Sequence, residues 1–533
     1  MNKLVKHKEK ILLILILLFA AFLRLYRIAD YMTFLGDEGR DVLVVYNILH
    51  GKLTLLGPTA SVGGFFLGPI YYYFMAPFLW LFHYDPVGPA VMVGLLGVAT
   101  VFLIYKIGSE FFGKKAGFVA AILYTISPLV ISYARSSWNP NPMPFFTLLT
   151  LYVLYKALDK KSLSLFFLCG FLYGIDMQLH YIEIFVGIII ATYVLSNEVL
   201  LKSKKDQWKQ LLSKIFHDYT AILFGFLVGF SPFIVFEIRH GFQDLKNITN
   251  FVFYSSNTGT NNRFFDIIGD VCFRLFGRLV TNFPPPEQIS GSDPHITVDI
   301  FLATFTIPVS VLYIFTLFIL FPSIGYLCLL LYESLRNKTA ERSKFSMISL
   351  WLGIGILLFG FYKKPIYDYY FEFMFPLPFL LVGSMLSFFY DKGKVLRYLS
   401  IALFVILVFL NLSGIPFRYP ANRQLKQMET IAQFVYQKTG NKPYNFALGS
   451  IGNSDHAYRY FFTVWGNPPI QIGHIGEKAD PKTVTDQLFV VCERLPCSPQ
   501  GESRWEIAGF GRAEIAGAWD VSVVKVYKLI HYK

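Results

Sequence analysis

Residues 11–49 read ILLILILLFAAFLRLYRIADYMTFLGDEGRDVLVVYNIL, a long apolar run followed at once by clustered charges. Its first part is almost pure hydrocarbon, and its second part contains GDEGRD, with adjacent acids at Asp37 and Glu38. The basic tail MNKLVKHKEK before the apolar run resembles a signal peptide, but Arg24 and Arg27 follow the run directly. We therefore expect an uncleaved first helix with a cytoplasmic tail, and two acids where the chain leaves the membrane.

Composition points to the membrane as well. The chain has 533 residues, of which 54% are hydrophobic and only 16% are charged, whereas a soluble domain has about 25% charged residues. The net charge of +13 would suggest nucleic acid in a soluble protein. Here the cations cluster in short connectors between apolar runs, which is typical of orientation in a bilayer. The sequence predicts a polytopic helical membrane protein that binds no nucleic acid.

Hydropathy and length predict about eleven membrane spans. With these spans, all the Lys/Arg-rich connectors lie on the side of the N-terminus, so we expect a multi-pass protein of the cell membrane with a cytoplasmic N-terminus and an extracytoplasmic C-terminal domain. The apolar segment from Pro69 to Phe82 is short and contains two prolines, so we interpret it as an interfacial or re-entrant helix. The predicted spans are 11–29, 87–106, 116–134, 142–158, 163–180, 182–199, 219–238, 301–332, 345–362, 370–389 and 398–416.

The predicted organisation is an all-α transmembrane module over 1–416 and a small extracytoplasmic α/β domain over 417–533. The module carries two outer loops, at about 30–86 and 239–299. In the C-terminal domain, NRQLKQMETIAQFVYQKTG predicts an amphipathic helix ended by glycine, and YNFALGS, QLFVVCE and VSVVKVYKLI predict strands. Cys492 and Cys497 could form a disulfide in that domain, and a free pair is the alternative.

A polar stripe runs along the second outer loop. Asp266, Asp270, Arg274 and Arg278 recur every four residues on a stretch otherwise rich in Phe, Ile, Leu and Val. The acids precede the bases, as the helix dipole prefers. We favour a helix that lies flat on the membrane surface, and a lid over a site is the sharper alternative.

The acids of GDEGRD have a structural and a chemical interpretation. Gly36 permits a tight turn, and Asp37 could be the N-cap of a helix from Glu38 to Leu49 that Gly51 closes. Adjacent carboxylates near an apolar surface raise one another's pKa, which suits a general base or a metal ligand. We favour a functional role over capping, and one residue could serve both.

Several segments together resemble a known family. They are the Asp37–Glu38 pair, GPIYYYFMAPFLWLF after it, and the following VGPAVMVGLLGVATVFLIYKIGSEFFGKKAGFVAAILYTISPLVISYAR. Over roughly residues 10–390 the chain resembles the polyprenol-phosphate-sugar glycosyltransferases of the GT-C superfamily. Within them it is similar to the protein-O-mannosyltransferase-like group, which includes lipid A aminoarabinose transferases and rhizobial lipopolysaccharide sugar transferases.

The resemblance implies a reaction and its residues. A polyprenyl-phosphate sugar is the donor, a protein, lipid or glycan hydroxyl is the acceptor, and the sugar is transferred with inversion. Asp37 is then the base, and Glu38 orients the site or coordinates an ion. The leaving phosphate needs cations at the outer face, although interfacial snorkelling or capping would also explain the candidates. The donor-binding candidates are Arg40, Arg135, His180, Tyr181, Lys363, Lys364 and Tyr370.

Two further positions bear on the site. Asp176 lies about one turn inside a predicted span, where an acid is costly and usually functional, and a hydrogen-bonded structural role is the alternative. Asn141 stands where many relatives carry the acid of an R-P-D motif, so a second outer carboxylate and any metal requirement stay open. The tyrosines of 71–73 and 367–370 could stack on sugar, but we favour an interfacial belt.

Two other functions compete with the enzyme. A lipid or glycan transporter or flippase would use the acids as coupling sites, but it should show repeats and paired broken helices near the membrane centre. We find no repeat in the sequence. An anchored binding protein, in which the C-terminal domain does the work, would leave the polar residues of the outer loops unexplained.

Overall fold

Helices dominate the structure, because nearly every long apolar segment forms one. The computed structural model describes residues 2–60, 63–200, 208–255, 258–259, 262–289, 294–300, 303–339, 341–476 and 478–532.

In the described part of the chain, eighteen helices lie before residue 414, with the longest connections after α3 and after α14, and three more belong to the C-terminal part of the chain. They are α1 Asn2–Leu25, α2 Ile28–Tyr31, α3 Gly36–Leu49, α4 Ile70–Leu81, α5 Val87–Phe112, α6 Lys114–Ile126, α7 Pro128–Tyr133, α8 Met143–Lys160, α9 Leu163–Asp176, α10 Ile184–Leu200, α11 Trp208–Gly229, α12 Ser231–Arg239, α13 Gln243–Thr249, α14 Phe264–Gly277, α15 Val309–Arg336, α16 Arg342–Phe359, α17 Pro376–Asp391, α18 Lys394–Ser413, α19 Gln424–Thr439, α20 His456–Val464 and α21 Trp505–Ala508.

Each predicted span overlaps a helix or a broken pair of helices, although the bounds differ. Among the described residues, five helices are long and apolar enough to cross a membrane: α5, α11, α15, α16 and α18. A sixth candidate is the bent pair of the 3₁₀ segment Asp368–Met374 and α17, whose axes differ by 59°. The chain is therefore a multi-pass membrane protein, and the full count of eleven stays a prediction.

Prolines break three of the predicted spans. The span at 116–134 is split between α6 and α7, where Ser127 is extended before Pro128, because a residue that precedes proline avoids the helical region. Pro232 is the second residue of α12, after the break from α11, and Pro376 begins α17 after the bend.

The start of the predicted span at 301–332 is wrong. The helix begins only at Val309, and the residues before it form an antiparallel hairpin of β1 His295–Ile300 and β2 Ala303–Pro308. Polar and apolar residues alternate in both strands, and the β-branched residues Ile, Thr and Val are frequent in them. Such β-branched residues are favoured in strands. Because they are about as apolar as the helix that follows, the hydropathy pattern assigned the second strand to the span.

The C-terminal part is built on a mixed four-stranded sheet. Its strand order is β3-β6-β8-β7, with β3 parallel to β6 and the other pairs antiparallel. The predicted strand VSVVKVYKLI is in fact the end of one strand, a turn and a second strand, because Ser522 has a positive φ of 56°. The strands are β3 Asn445–Gly449, β4 His474–Ile475, β5 Lys478–Ala479, β6 Gln487–Cys492, β7 Ala513–Val521 and β8 Val524–His531, and β4 pairs with β5 apart from the main sheet.

Helix α19 is amphipathic as predicted, and it ends at Thr439 before Gly440, whose φ of 60° is typical of a glycine cap. Cys492 at the end of β6 forms a disulfide with Cys497. Helix α20 packs against α3. The sheet-bearing part thus lies against the segment that carries GDEGRD, while its separate folding and its outer location stay predictions.

Candidate active site

Helix α3 begins at Gly36, one position before the acids. The predicted N-cap role of Asp37 is wrong, because Leu35 occupies the N-cap position. Glu38 sits at the third helical position, and its Oε2 accepts a hydrogen bond from the Leu35 N–H at 3.1 Å. In a capping box, the side chain at the third helical position accepts the N–H of the N-cap residue in this way. Glu38, and not Asp37, therefore caps the start of α3.

The three acids of GDEGRD have different exposure. The Asp37 side chain is 58% exposed, whereas Glu38 and Asp41 are buried at 6% and 0%. Successive helical positions point in different directions around the axis, so neighbours in sequence face different surroundings. Of the three carboxylates, only that of Asp37 is open to a substrate.

Arg40 joins two of these acids. Its guanidinium lies 3.0 Å from the Asp37 carboxylate and 2.8 Å from that of Asp41. The hydroxyl of Tyr72 also donates to Asp41, at 3.3 Å. Arg40 therefore orients Asp37, while Asp41 and Tyr72 hold Arg40 from its buried side.

Burial changes the protonation of the two inner acids. The pKa of Glu38 is raised to about 7, mainly by burial and to a smaller extent by neighbouring Asp37 and Asp41, while hydrogen bonds from backbone N–H groups, including that of Leu35, lower it. Burial also raises the pKa of Asp41 to about 6, although the Arg40 guanidinium acts in the opposite direction. Glu38 is thus only partly ionised near neutral pH, which suits a capping group better than a strong base.

Asp37 lines a small cleft, of about 50 Å³, between the segment that contains α3 and three later segments of the chain. The cleft gathers four of the predicted site residues: Asp37, Arg40, His180 and Tyr181. Its other lining residues are Thr59, Ala60, Leu67, Trp138, Asn139, Pro140 and Tyr369.

His180 is a neutral member of this cleft. Burial lowers its pKa to about 3. Its Nδ1 accepts the N–H of Ile182 at 3.2 Å, so the neutral ring carries its proton on Nε2. His180 can therefore donate or relay a hydrogen bond, but it brings no positive charge to a phosphate.

Aromatic rings form one wall of the cleft. The ring centroids of Trp138 and Tyr369 are 4.6 Å apart, and those of Tyr369 and Tyr370 are 4.5 Å apart. Tyr370 also lies 5.6 Å from the His180 ring. Of the earlier cluster, Tyr71 and Tyr72 are buried at 0% and 2%, so the interfacial belt expected of them is wrong.

Arg135 and Asn141 do not line the cleft. The Arg135 guanidinium donates to the carbonyls of Leu23 and Tyr26, at 2.9 and 2.7 Å, and lies over the Phe417 ring. The Asn141 amide donates to the carbonyls of Tyr133 and Ser136, at 2.7 and 2.8 Å. Both side chains therefore bind backbone carbonyls, and they lie on either side of Trp138 in the sequence.

Asp176 belongs to a buried acid pair that sequence reasoning missed. The hydroxyl of Thr147 lies 3.0 Å from the Asp176 carboxylate and 3.1 Å from that of Glu183. All three residues are fully buried. Glu183 lies at the start of the predicted span 182–199, where burying an acid costs free energy. That cost could have identified Glu183 from the sequence.

Lys363 and Lys364 line a different groove, beside α14. The polar stripe of α14 does not simply face solvent: Arg274 and Arg278 contact the Asp368 carboxylate at 2.6 and 2.8 Å. Asp368 thus ties α14 to the segment that joins the lysines to Tyr369, and sequence reasoning missed it. The remaining lining residues of the groove are Arg263, Asp266, Ile267, Asp270, Arg274, Pro365 and Ile366.

A metal centre finds no support in the described ranges. No three His, Cys, Asp or Glu side chains there come together as a possible metal site.

Comparison with known proteins gives a family match over part of the chain. Residues 67–236 match the family described as dolichyl-phosphate-mannose-protein mannosyltransferase. Over 201 residues the chain is 23% identical to YkcB of Bacillus subtilis (strain 168), which is provisionally named a mannosyltransferase. This match covers 37% of the chain and 28% of YkcB, so the chain matches well under half the length of that relative.

Solved structures share the fold over a longer range. ArnT from Cupriavidus metallidurans, bound to undecaprenyl phosphate, has a TM-score of 0.59 at 12% identity, with 97% of both chains covered. The Archaeoglobus fulgidus oligosaccharyltransferase, tethered to an acceptor peptide, has a TM-score of 0.51 at 13% identity. That match covers 87% of this chain and 64% of the oligosaccharyltransferase. The chain therefore has the fold of ArnT over nearly its whole length, and its family match lies within residues 67–236.

Proposed function

We propose that the chain is an integral membrane glycosyltransferase that moves a sugar from a polyprenyl-phosphate donor to an acceptor hydroxyl, with Asp37 as the base. The observation that carries this proposal is the exposure of Asp37 in a cleft walled by Trp138, Tyr369 and His180. The undecaprenyl phosphate bound by ArnT, which has the same fold, supports a lipid phosphate as the leaving group.

The reaction is a single displacement. The Asp37 carboxylate accepts the proton of the acceptor hydroxyl, whose oxygen attacks the anomeric carbon of the sugar. The bond from that carbon to the phosphate oxygen breaks on the opposite side, so the anomeric configuration inverts. The bonding electrons leave with the polyprenyl phosphate, and the protonated Asp37 returns its proton to solvent.

Arg40 orients the carboxylate of Asp37 for proton transfer. The ion pair at 3.0 Å fixes the direction of the Asp37 carboxylate. Because Asp41 lies 2.8 Å from the same guanidinium, the charge of Arg40 is balanced even when Asp37 has taken up a proton. Arg40 is therefore a positioning residue for the base in this mechanism.

The aromatic wall suits a sugar. Trp138 and Tyr369 offer adjoining apolar faces against which a pyranose ring can stack. The neutral His180, with its proton on Nε2, offers a hydrogen-bond donor to a sugar or phosphate oxygen. The wall would hold the anomeric carbon near the mouth of the cleft, where Asp37 is exposed.

We assign the lipid phosphate to the groove that contains Lys363 and Lys364. Both lysines are exposed there, and Asp368 connects their segment to α14. Clustered cations stabilise the charge that develops on a leaving phosphate.

Changing Lys363 and Lys364 together to Ala should weaken the binding of polyprenyl phosphate at least tenfold, because two charge-assisted contacts are lost. The change should not alter the melting temperature. The matched control is the adjacent pair Lys114 and Lys115, which is also exposed but contacts Glu9 and Asp391. Equal affinity for the lipid in the Lys363/Lys364 variant and the wild type would remove the groove from the donor site.

The reaction class is tested with purified protein in lipid vesicles. A panel of radiolabelled polyprenyl-phosphate sugars is offered with membrane extract as the source of acceptors, and the anomeric configuration of the product is determined. We expect label to move from one donor class to an acceptor with inversion. Translocation of the intact labelled lipid across the vesicle, without any transfer of sugar, would favour the transporter instead.

A further inference from the structure

The first turn of α3 is held by a residue far away in the chain. The Gly36 N–H is one of the amides at a helix start that have no partner within the helix. It donates to Oδ1 of Asn453, at 2.9 Å, across 417 positions of sequence. Asn453 follows β3, so the sheet-bearing part of the chain supplies a cap to the helix that carries Asp37.

Glu493 fixes the orientation of the Asn453 amide. The Asn453 Nδ2 donates to both carboxylate oxygens of Glu493, at 3.1 and 3.0 Å. An ionised carboxylate can only accept hydrogen bonds, so it draws the amide nitrogen towards itself and turns Oδ1 towards Gly36. Tyr458 donates to the same carboxylate at 2.8 Å and holds it in place.

Glu493 is itself tied to the sheet. It follows Cys492 at the end of β6, and its N–H donates to the carbonyl of Gly449 at 2.9 Å. The disulfide between Cys492 and Cys497 closes the short loop that begins at Glu493. The carboxylate is therefore anchored by the backbone on one side and by Tyr458 on the other.

The contact between the two parts of the chain is close. A Cβ at Gly36 would lie 2.2 Å from the Ser454 Oγ, and a Cβ at Gly39 would lie 2.3 Å from the Ala457 backbone nitrogen. Because these backbones are packed so closely, α3 cannot shift independently of α20. A displacement at Asn453 would therefore reach Asp37, which is the next residue after Gly36.

We propose that Asn453 and Glu493 are positioning residues for Asp37, and that they couple the C-terminal sheet to the rate of sugar transfer. This inference rests on the proposed function, because it takes Asp37 to be the base. Neither residue lines the cleft, so they act on the chemistry through the first turn of α3 and not through contact with the donor.

The test exchanges the two functional groups. Asn453→Asp places a carboxylate against that of Glu493, so the contact becomes repulsive. Adding Glu493→Gln restores a donor–acceptor pair, because the new amide donates to the new carboxylate, which still accepts from Gly36. We expect Asn453→Asp to lower kcat at least tenfold with KM for the donor within twofold of wild type, and the double variant to recover most of kcat.

A second readout does not depend on activity. Hydrogen exchange of the backbone amides in residues 34–42 should be faster in Asn453→Asp and should return towards wild type in the double variant. Asn453→Ala removes the cap without adding charge, so it should give the same faster exchange if Asn453→Asp does not fold. Asn441→Asp is the matched control, since Asn441 is an exposed residue of the same part of the chain.

The outcomes distinguish the positioning role of Asn453 and Glu493 from the proposed function. Unchanged exchange at 34–42 in both Asn453 variants overturns the inference whether or not transfer is measured. Faster exchange with unchanged kcat in an active protein overturns it as well. If exchange responds as expected but the wild type transfers no sugar from any donor, the contact is upheld and the proposed function fails.

Discussion

At the scale of single residues, three carboxylates within five positions have three different tasks. Asp37 is exposed beside Arg40, Glu38 accepts the N–H of Leu35 in a buried position, and Asp41 is buried against the Arg40 guanidinium. The sequence predicts a functional role for GDEGRD, because clustered acids beside an apolar run cost free energy. It does not distinguish the three acids, because their burial is set by segments elsewhere in the chain.

Glu38 gives a prediction about stability against pH. Burial raises its pKa in the folded protein from 4.5 to about 7, so the folded state prefers the protonated form. The resulting stabilisation is fully present below about pH 4.5 and is lost as pH rises through about 7, by up to about 3 kcal/mol. Glu38→Gln keeps an oxygen for the Leu35 N–H and cannot ionise, so its melting temperature should fall less than that of wild type over this interval.

The control for Glu38→Gln is Glu429→Gln, because Glu429 is an exposed acid that pairs with Lys426 on α19. Its melting temperature should follow the wild-type dependence on pH. A Glu38→Gln variant whose pH dependence equals that of the wild type would show that Glu38 is not held in a raised-pKa state.

At the scale of elements, α3 is shaped by its glycines. Gly36 and Gly39 lie three positions apart, so they share one face of the helix, and that face meets the backbone at the start of α20. Sequence reasoning assigned Gly36 to a tight turn. It did not recognise a packing face, because the partner helix lies more than 400 residues away in the chain.

Gly39→Ala should be costly for this reason. Its Cβ would lie 2.3 Å from the Ala457 nitrogen and 2.4 Å from the Ala457 Cα, and backbone atoms cannot move aside as a side chain can. Such overpacking typically costs about 1–3 kcal/mol, so we expect a lower melting temperature and a slower transfer rate.

Gly269→Ala is the matched control for Gly39→Ala. Gly269 also lies within a helix, but no atom stands within 4 Å of its Cβ position. Alanine there should leave the melting temperature unchanged or raise it slightly, because alanine has the higher helix propensity. Equal melting temperatures of Gly39→Ala and wild type would mean that α3 and α20 are not tightly packed.

Long apolar helices are the elements that sequence predicts best, since length and hydropathy act locally. The hairpin before Val309 and the turn at Ser522 were missed, because their residues are apolar and β-branched like those of their neighbours. Within the site, Asp37 and His180 could be predicted from acid clustering and from a polar turn. The ion pairs of Asp368 and the pairing of Asp176 with Glu183 depend on contacts between distant elements.

At the scale of the whole molecule, the helical part and the C-terminal sheet meet at the segment that carries the cleft. The N–H of Phe34 donates to Oε1 of Gln424, and the N–H of Gly36 donates to Asn453. The C-terminal part thus contacts both the residues before the acids and the helix that carries them. The C-terminal part therefore helps to fix the position of the segment that carries the acids.

The predicted topology requires an odd number of crossings between the N-terminus and the C-terminal part. Single cysteines at Lys114 and Lys426 should therefore react from opposite sides of a sealed membrane with an impermeant thiol reagent. We expect the position at Lys426 to be labelled from outside in intact cells and that at Lys114 only after permeabilisation. The intrinsic cysteines are first checked for reactivity, because Cys328 is exposed. Labelling of both positions from outside would overturn the topology.

The central claim is that Asp37 is the base of a sugar-transfer reaction. The most direct measurement compares the transfer rate of purified wild type with that of Asp37→Asn, at equal donor occupancy, with Asp30→Asn as control because Asp30 pairs with Arg27 away from the cleft. We predict a loss of about 10²–10⁴-fold in rate for Asp37→Asn, with donor affinity within twofold and the control unchanged. A wild-type transfer rate from Asp37→Asn would contradict the account.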